Sequence, residues 1–554
     1  MTSLSLAAIL AEAARRRPDH IALVEGDLRI GFADLWHQAR VQAATLIRIG
    51  VRPGDRVALM APNTAEFPRA YYAILATGAV VVPVHLLLTS DETAYVLRDS
   101  GAKLLLCHDR HRAVGERAAR ATGVRMLTIG RSEEAGEPVP NDMGIAAAEG
   151  VAGAEGVKVA GAEEVGIAGV EGPAEVAVAP ERLEELGDAV EPMVGYATRA
   201  PEDPAVVFYT SGTTGAPKGA VLSHLNLVMN ATVSAFDANH ALPDDIALGA
   251  LPLFHAFGQT VSMNSTWRVG ATLVLLPRFD PVTAIALMVA EGVNTFHGVP
   301  TMYISLVEAA RTAPALPELR LCLSGGASLP ATVLERFQAA FGAVVYEGYG
   351  LSETSPTASV NQEVFGARPG TVGHAVWGVD VEIARAETED AIELLAPGES
   401  GEIVVRGHNV FTGYLNRPEA TAEALVDGWF RTGDLGIKDA DGYVTIIDRK
   451  KDIVIRGGFN VYPREIEEVL LRHPAIAQAA VIGLPDRLLG EEICAVIVLA
   501  PTTDPPPTEA ELITWARDRM GRHKYPRRVE FVTELPLGPS HKVLKRELRA
   551  RFGG

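Results

Sequence analysis

Residues 71–88 read YYAILATGAVVVPVHLLL, and the way this run divides decides the fold. Its length approaches that of a membrane span. Gly78, Pro83 and His85 interrupt it, however, and its second half is β-branched. Such side chains are stiff at χ1 and favour strands over helices. The run therefore predicts a buried helix, Tyr71 to Ala76, running into a buried strand, Ala79 to Pro83. Elements apolar on all sides belong to a sheet covered on both faces, the usual setting of parallel strands.

The same alternation extends outward. Towards the N-terminus, AAILAEAARRRP is amphipathic and stops at a proline, and HIALVEG and RVALMAP are short apolar strands. A single parallel sheet covered on both faces is expected for residues 1–130. From residue 204 to about 360, AVVFYTS, ATLVLLP, TFHGVP, LRLCLSGGA and AVVYEGYG continue the strand–helix pattern. Between about 370 and 448 the pattern shortens to VDVEIA, GEIVVRG and DGYVTIID, separated by Gly, Pro and Asp. That spacing predicts an antiparallel sheet or small barrel. DRKKD at 448–452 is a charged junction, after which REIEEVLLRH, IAQAAVIGL and EICAVIVLA restart the chain as a separate α+β unit.

Composition narrows the classes. At 554 residues, 48% hydrophobic and 21% charged, the chain is neither disordered, collagen-like nor a coiled coil, and it exceeds what one core of about 250–300 residues serves. Three cysteines, Cys107, Cys322 and Cys494, do not make a disulfide scaffold and fit a reducing compartment. The arginines of MTSLSLAAILAEAARRR follow its apolar run, the wrong order for a secretory signal, so a cytoplasmic location is expected. A net charge of −19 makes nucleic acid a poor general partner. Residues 131–195 lack any aromatic and repeat Ala, Gly, Val and Glu; 15 acidic and 4 basic residues between 131 and 200 carry much of the net charge. This stretch is expected to be a low-complexity surface insert.

Four segments carry chemistry. In FYTSGTTGAPKGA, residues 208–220, a buried strand enters Thr210, Ser211, Gly212, Thr213, Thr214, Gly215, Ala216, Pro217 and Lys218. Glycines allow successive N–H groups to face one anion, and the hydroxyls and Lys218 add donors and charge suited to nucleotide phosphates. Pro217 and Gly219 stand where a Walker A loop needs glycine and Ser or Thr, so it is not that motif. In YEGYGLSETSP, residues 346–356, Glu353 is suited to a magnesium ion and Thr354 to a phosphate, at the strand end where α/β sheets bind ligands. In WFRTGDLG, residues 429–436, Asp434, expected in a strand-end turn, is suited to accept from both hydroxyls of a ribose, and Arg449 to donate to the same sugar. In PLGPSHKVLKREL, Lys542 sits in a polar loop before a basic helix.

In this order and spacing the segments resemble the adenylate-forming superfamily: acyl-CoA synthetases, non-ribosomal adenylation domains and firefly luciferases. LPLFHAFGQT, LLPRFDP, EGYGLSETSP and GGFNVYPREIEEVL look most like bacterial long- and medium-chain fatty acyl-CoA ligases. The resemblance implies an α/β fold: a large N-terminal domain, residues 1–448, of two αβ-layered subdomains plus a small β-barrel, a hinge at 449–453, and a small mobile α+β domain at 454–554. It implies ATP, magnesium and CoA, a fatty acid substrate, and a possible homodimer. Thr210 to Lys218 would form the phosphate loop; Ala327, Glu347, Gly348 and Tyr349 would pack around adenine. Glu353, with Thr213, would bind magnesium, and Thr354 the α-phosphate. Asp434 and Arg449 would hold the ribose, and Lys451 would be the hinge. Lys542 would bridge carboxylate and α-phosphate. Arg278, Gly457, Gly458 and Asn460 would meet CoA; His255, Gly326 and Gly348 would bound the acyl group. The family usually has glycine before the catalytic lysine, where this chain has His541.

Rival readings remain within and beyond the family. An amino-acid adenylation domain usually carries an Asp near the position of His255, and LFHAFG has none; no carrier domain is expected, since the sequence ends at Gly554. A luciferase-like oxygenase shares the motifs. A non-catalytic sensor would have lost Glu353 or Lys542.

Overall fold

The structure, a computed structural model, describes residues 3–130, 181–210, 216–500, 505–537 and 543–553. Two large sheets form its body. In the seven-stranded sheet, Pro204–Thr210, Val80–Pro83, Arg56–Met60, Leu104–His108 and Arg125–Ile129 run parallel, with Lys218–Ser223 and Gly413–Tyr414 added antiparallel at one edge. The nine-stranded sheet has a parallel centre of Val345–Gly350, Leu321–Ser324, Thr295–Gly298, Ile246–Gly249, Thr272–Leu275 and Ile21–Glu25.

The run at 71–88 divides as its sequence predicts. Helix Glu66–Ala76 is buried throughout from Ala70, and strand Val80–Pro83 is buried at all four positions. One core holds Tyr71, Tyr72 and Trp267 with Val57 and Val81 from one sheet and Leu273 and Leu323 from the other. The central helices are thus sandwiched between sheets, and a helix buried on every side is apolar on every side. Its two phenols are satisfied internally: Tyr72 donates to Asn264 Oδ1 at 2.8 Å, and Asn264 Nδ2 donates to Tyr71 at 3.3 Å.

Residues 1–130 are not one sheet. Ile21–Glu25 pairs with Thr272–Leu275 and, antiparallel, with Leu28–Gly31 in the nine-stranded sheet, whereas Arg56–Met60 lies in the other. Apolar periodicity reports that a strand is buried, not which sheet buries it. Between 379 and 449 the chain forms an antiparallel sheet of five strands, Val379–Ala384, Ser400–Gly407, Leu425–Val426, Trp429–Lys438 and Val444–Arg449, whose pairings among the described residues do not return to the first strand. It is the open sheet, not the barrel, of the two expected forms.

The C-terminal unit has its own core of Val454, Ile466, Val481, Ile493 and Leu512 under a five-stranded sheet. Its polar contacts with the rest include those of Arg464, whose N–H donates to Asp448 Oδ2 at 3.0 Å and whose guanidinium donates to Ile446 O; Arg549 pairs with Asp452 of the junction at 3.0 Å. No helix of the described residues is long and apolar enough to cross a membrane, and the three cysteines are free and buried.

Residues 131–180 lie outside the described residues. The rest of the expected insert, 181–195, packs on the body, contrary to expectation. Leu183 is fully buried, Gly130 N–H donates to Glu184 at 3.1 Å, and Met193 N–H donates to Arg40 O at 3.1 Å. The sequence hid this anchor because Leu183, Leu186 and Met193, which pack on the core, are too few and too irregularly spaced to show a period. Leu183→Ala should cost about 2–5 kcal/mol, as buried leucine truncations do; an unchanged thermal midpoint would remove residues 181–195 from the core.

Candidate active site

The expected site residues gather where three sheets meet. Strands Pro204–Thr210 and Lys218–Ser223 are antiparallel, with Thr210 paired to Lys218, so the first motif is a hairpin loop. Ser211, Gly212, Thr213, Thr214 and Gly215 lie outside the described residues. Lys218 Nζ sits 5.1 Å from the ring centroid of Tyr414, which reaches it from the adjoining edge strand. The Tyr414 hydroxyl donates to Glu353 Oε1 at 2.9 Å. Burial and the Glu353 charge push the Tyr414 phenol up, so it stays a donor. Among the described residues no ion pair or second side-chain hydrogen bond takes the Glu353 carboxylate, which is 7% exposed.

Glu353 follows strand Val345–Gly350 in a single 3₁₀ turn, Ser352–Thr354. A Cβ on Gly350 would lie 1.7 Å from Pro356 O, so only glycine lets the turn fold back this closely. Thr354 is fully buried and its hydroxyl bonds within the turn, donating to Leu351 O and Pro356 O and accepting from Leu351 N–H.

On the other side of the strand, Tyr349 donates to Asp434 Oδ2 at 2.7 Å, and Arg449 Nε lies 2.9 Å from Asp434 Oδ1. Asp434 is 3% exposed and directly opposite Arg449 in the antiparallel register. The Asp434 charge raises the Arg449 guanidinium further. A buried ion pair, Arg431 with Glu402 at 2.6 Å, holds the preceding turn, where Glu402 also accepts from Gly433 N–H at 3.0 Å.

Gly326 and Ala327 are exposed at the end of strand Leu321–Ser324. Nearby, Glu347 Oε1 accepts from Leu329 N–H at 3.2 Å, while for the buried Oε2 no partner lies within hydrogen-bond distance and angle among the described residues. Burial raises this carboxyl. A Cβ on Gly348 would meet Val360 and Leu323 at 3.5 and 3.6 Å, so the glycine faces the interior. His255 precedes a π-helical segment, Phe257–Asn264, and accepts from Phe257 N–H at 3.4 Å.

Other expected residues stand apart. Arg278 is exposed after strand Thr272–Leu275, and Gly457 and Gly458, with φ of +57° and +82°, turn an exposed hairpin that also carries Asn460. Among the described residues no hydrogen bond or ion pair joins them to the cluster. Lys451 is exposed at the junction; Lys542 and His541 lie outside the described residues.

Sequence reasoning missed Tyr414 and Glu402. Tyr414 sits in FTGYLNRPEAT, on a strand of two residues with no period to notice. Glu402 alternates within GEIVVRG; an acid between apolar strand residues was the available signal.

The arrangement is thus a buried acid and a buried Asp–Tyr–Arg cluster on a two-sheet body. A family profile described as "AMP-binding enzyme" matches residues 10–415, and "AMP-binding enzyme C-terminal domain" matches 465–542. The chain belongs to the AMP-binding enzyme family. It is 35% identical to a long-chain-fatty-acid–CoA ligase of Bacillus subtilis, over 98% of this chain and 94% of that one. It is also 35% identical to a feruloyl-CoA synthase of an Amycolatopsis species, over 98% and 97%. The crystal structure of ATP-bound MatB from Rhodopseudomonas palustris superimposes with a TM-score of 0.84 at 31% identity, covering 100% and 99%.

Hydrogen bonds to charged groups contribute about 1.5–3 kcal/mol. Tyr414→Phe should therefore lower kcat/KM for ATP about tenfold or more with the fold intact by circular dichroism; an unchanged value would remove Tyr414 from the site. Gly350→Ala should lower the thermal midpoint and abolish turnover together, because Pro356 O cannot move without the turn that holds Glu353.

Proposed function

We propose that this protein is an ATP-dependent fatty acid–CoA ligase. It activates a carboxylic acid as an acyl-adenylate and transfers the acyl group to CoA. The observation that carries the reading is two buried acids tied to one strand, Val345–Gly350: Glu353 in the turn after it, held by the hydroxyl of Tyr414, whose ring lies under Lys218, and Asp434 fixed by Tyr349 and Arg449. A triphosphate spans that separation of roles, with ribose at one acid and phosphates at the other.

A carboxylate is a poor acylating agent because oxide is its leaving group. Its oxygen attacks the α-phosphorus of ATP, the bond to the β-phosphate oxygen breaks, and pyrophosphate leaves. The CoA thiolate then attacks the acyl carbon and AMP departs. Both steps concentrate negative charge, so positioned cations supply the catalysis. Thr210 to Lys218 hold the phosphates, Asp434 and Arg449 the ribose. Ala327, Glu347, Gly348 and Tyr349 surround adenine, whose amino group suits the unpartnered Glu347 Oε2. Magnesium takes one or two carboxylates plus phosphate oxygens, and the donor set of Glu353, with Thr213, fits that need; the ion would neutralise phosphate charge. Thr354 shapes the turn and lies beside the α-phosphate. Lys542 serves adenylation, Lys451 is the hinge, and Arg278, Gly457, Gly458 and Asn460 receive CoA after the swing. His255, Gly326 and Gly348 bound the acyl group. No acid in LFHAFG pairs with a substrate ammonium, which favours a fatty acid over an amino acid.

Pyrophosphate release across acids from C2 to C18 tests the assignment. Each buried methylene is worth about 0.8 kcal/mol, so KM should fall from C4 to at least C8; a flat profile or a preference for acetate would remove the fatty acid. Lys542→Ala should nearly abolish adenylate formation yet still convert supplied acyl-adenylate to acyl-CoA, and Lys451→Pro should do the reverse. Single-turnover kinetics of each half-reaction decide this, and equal slowing of both steps by Lys542→Ala would overturn the two-position mechanism.

A further inference from the structure

Nothing in the site described so far uses His297, the third residue of strand Thr295–Gly298. It is 2% exposed, and neither ring nitrogen has a hydrogen-bond partner among the described residues. Leaving one buried polar group unpaired costs about 1–3 kcal/mol, and this ring leaves two. Its neighbour Phe296 packs against Tyr303 in the outer core. Side chains alternate along a strand, so His297 faces inward. Its parallel partner is Leu323, an inner-core residue that a Cβ on Gly348 would touch. His297, Leu323 and Gly348 therefore share the face assigned above to the acyl group.

The π-helical segment Phe257–Asn264, entered from His255, packs on this strand. It too holds unused hydrogen-bonding capacity: Gln259 Oε1, Thr260 Oγ1 and Ser262 Oγ are fully buried and have no hydrogen-bond partner among the described residues. π-Helical turns inside helices are frequent at functional sites. A wall built only for hydrocarbon would not carry these groups.

Resting on the CoA-ligase reading, we propose that His297 recognises a hydroxyl group on an otherwise apolar acyl chain, so that the preferred acid is a hydroxylated one. Burial pushes the imidazole down to about 4, so it is neutral at neutral pH, with one nitrogen donating and the other accepting. A hydroxyl also donates and accepts. A plain alkyl tail satisfies neither nitrogen. Hydroxyalkyl and hydroxyaryl acids share this chemistry.

The test compares kcat/KM for matched pairs on the wild type and on His297→Leu: octanoate with 3-hydroxy- and 8-hydroxyoctanoate, and cinnamate with 4-hydroxycinnamate. The wild type should prefer at least one hydroxylated acid over its parent by about tenfold or more. In His297→Leu that ratio should fall towards one while the parent acid is still turned over, and His297→Gln should restore part of the ratio. The winning pair separates the alkyl from the aryl source. No hydroxyl preference in the wild type, or one that survives His297→Leu, overturns the proposal. If neither variant folds, the wild-type ratios alone decide. Failure of every acid to release pyrophosphate would instead overturn the CoA-ligase reading.

Discussion

A single carboxylate, Asp434, ties three parts of the chain into one geometry. Tyr349 reaches it from the nine-stranded sheet, Arg449 from the last strand before the C-terminal unit, and its own strand belongs to the small antiparallel sheet. A buried charge stripped of a partner is strongly destabilising, whereas a satisfied one fixes orientation. The Arg431–Glu402 pair repeats the arrangement one turn earlier. The sheets also share one apolar core, in which Leu323 and Val360 lie with Ile403 and Val444, and the directional bonds at Asp434 fix the orientation that this non-directional packing leaves open.

Much of this was legible in the sequence, for physical reasons. The run at 71–88 declared a buried helix and strand because burial on all sides leaves no polar face to write. At 208–220 the strands on either side of the motif were legible from their apolar residues. Asp434 and Arg449 stood out as charged residues, but Asp434 lies inside strand Trp429–Lys438 and not at its end. What stayed hidden depends on non-local pairing. Ile21–Glu25 and Arg56–Met60 read alike, yet they enter different sheets. Tyr414 meets Glu353 across 61 residues of chain, and nothing local in either segment announces the other. Leu183 looked like the end of a low-complexity stretch because an anchor of a few irregularly spaced side chains has no period.

The interior is also less uniform than its apolar composition implies. On the outer face of the nine-stranded sheet, Phe296, Tyr303 and Phe337 meet edge to face and Phe337 stacks on Phe341. On the inner face, His297 lies in register with Leu323. Burial fraction alone does not separate these two faces; the identity of the side chains does.

Asp448 has a further consequence. Helix Pro463–Leu470 begins with a proline, which has no N–H, and Tyr462 before it gives no side-chain cap. The orphan donor of Arg464 is satisfied by Asp448 from the other side of the junction. The cap of this helix is thus lent by a different folding unit, and parting the two would bare the helix end. A cap of this kind is worth about 1 kcal/mol, and the Arg464 guanidinium adds a second tie across the junction by donating to Ile446 O. One residue at the helix entry thus fastens the C-terminal unit to the last strand of the small sheet through its backbone and its side chain at once.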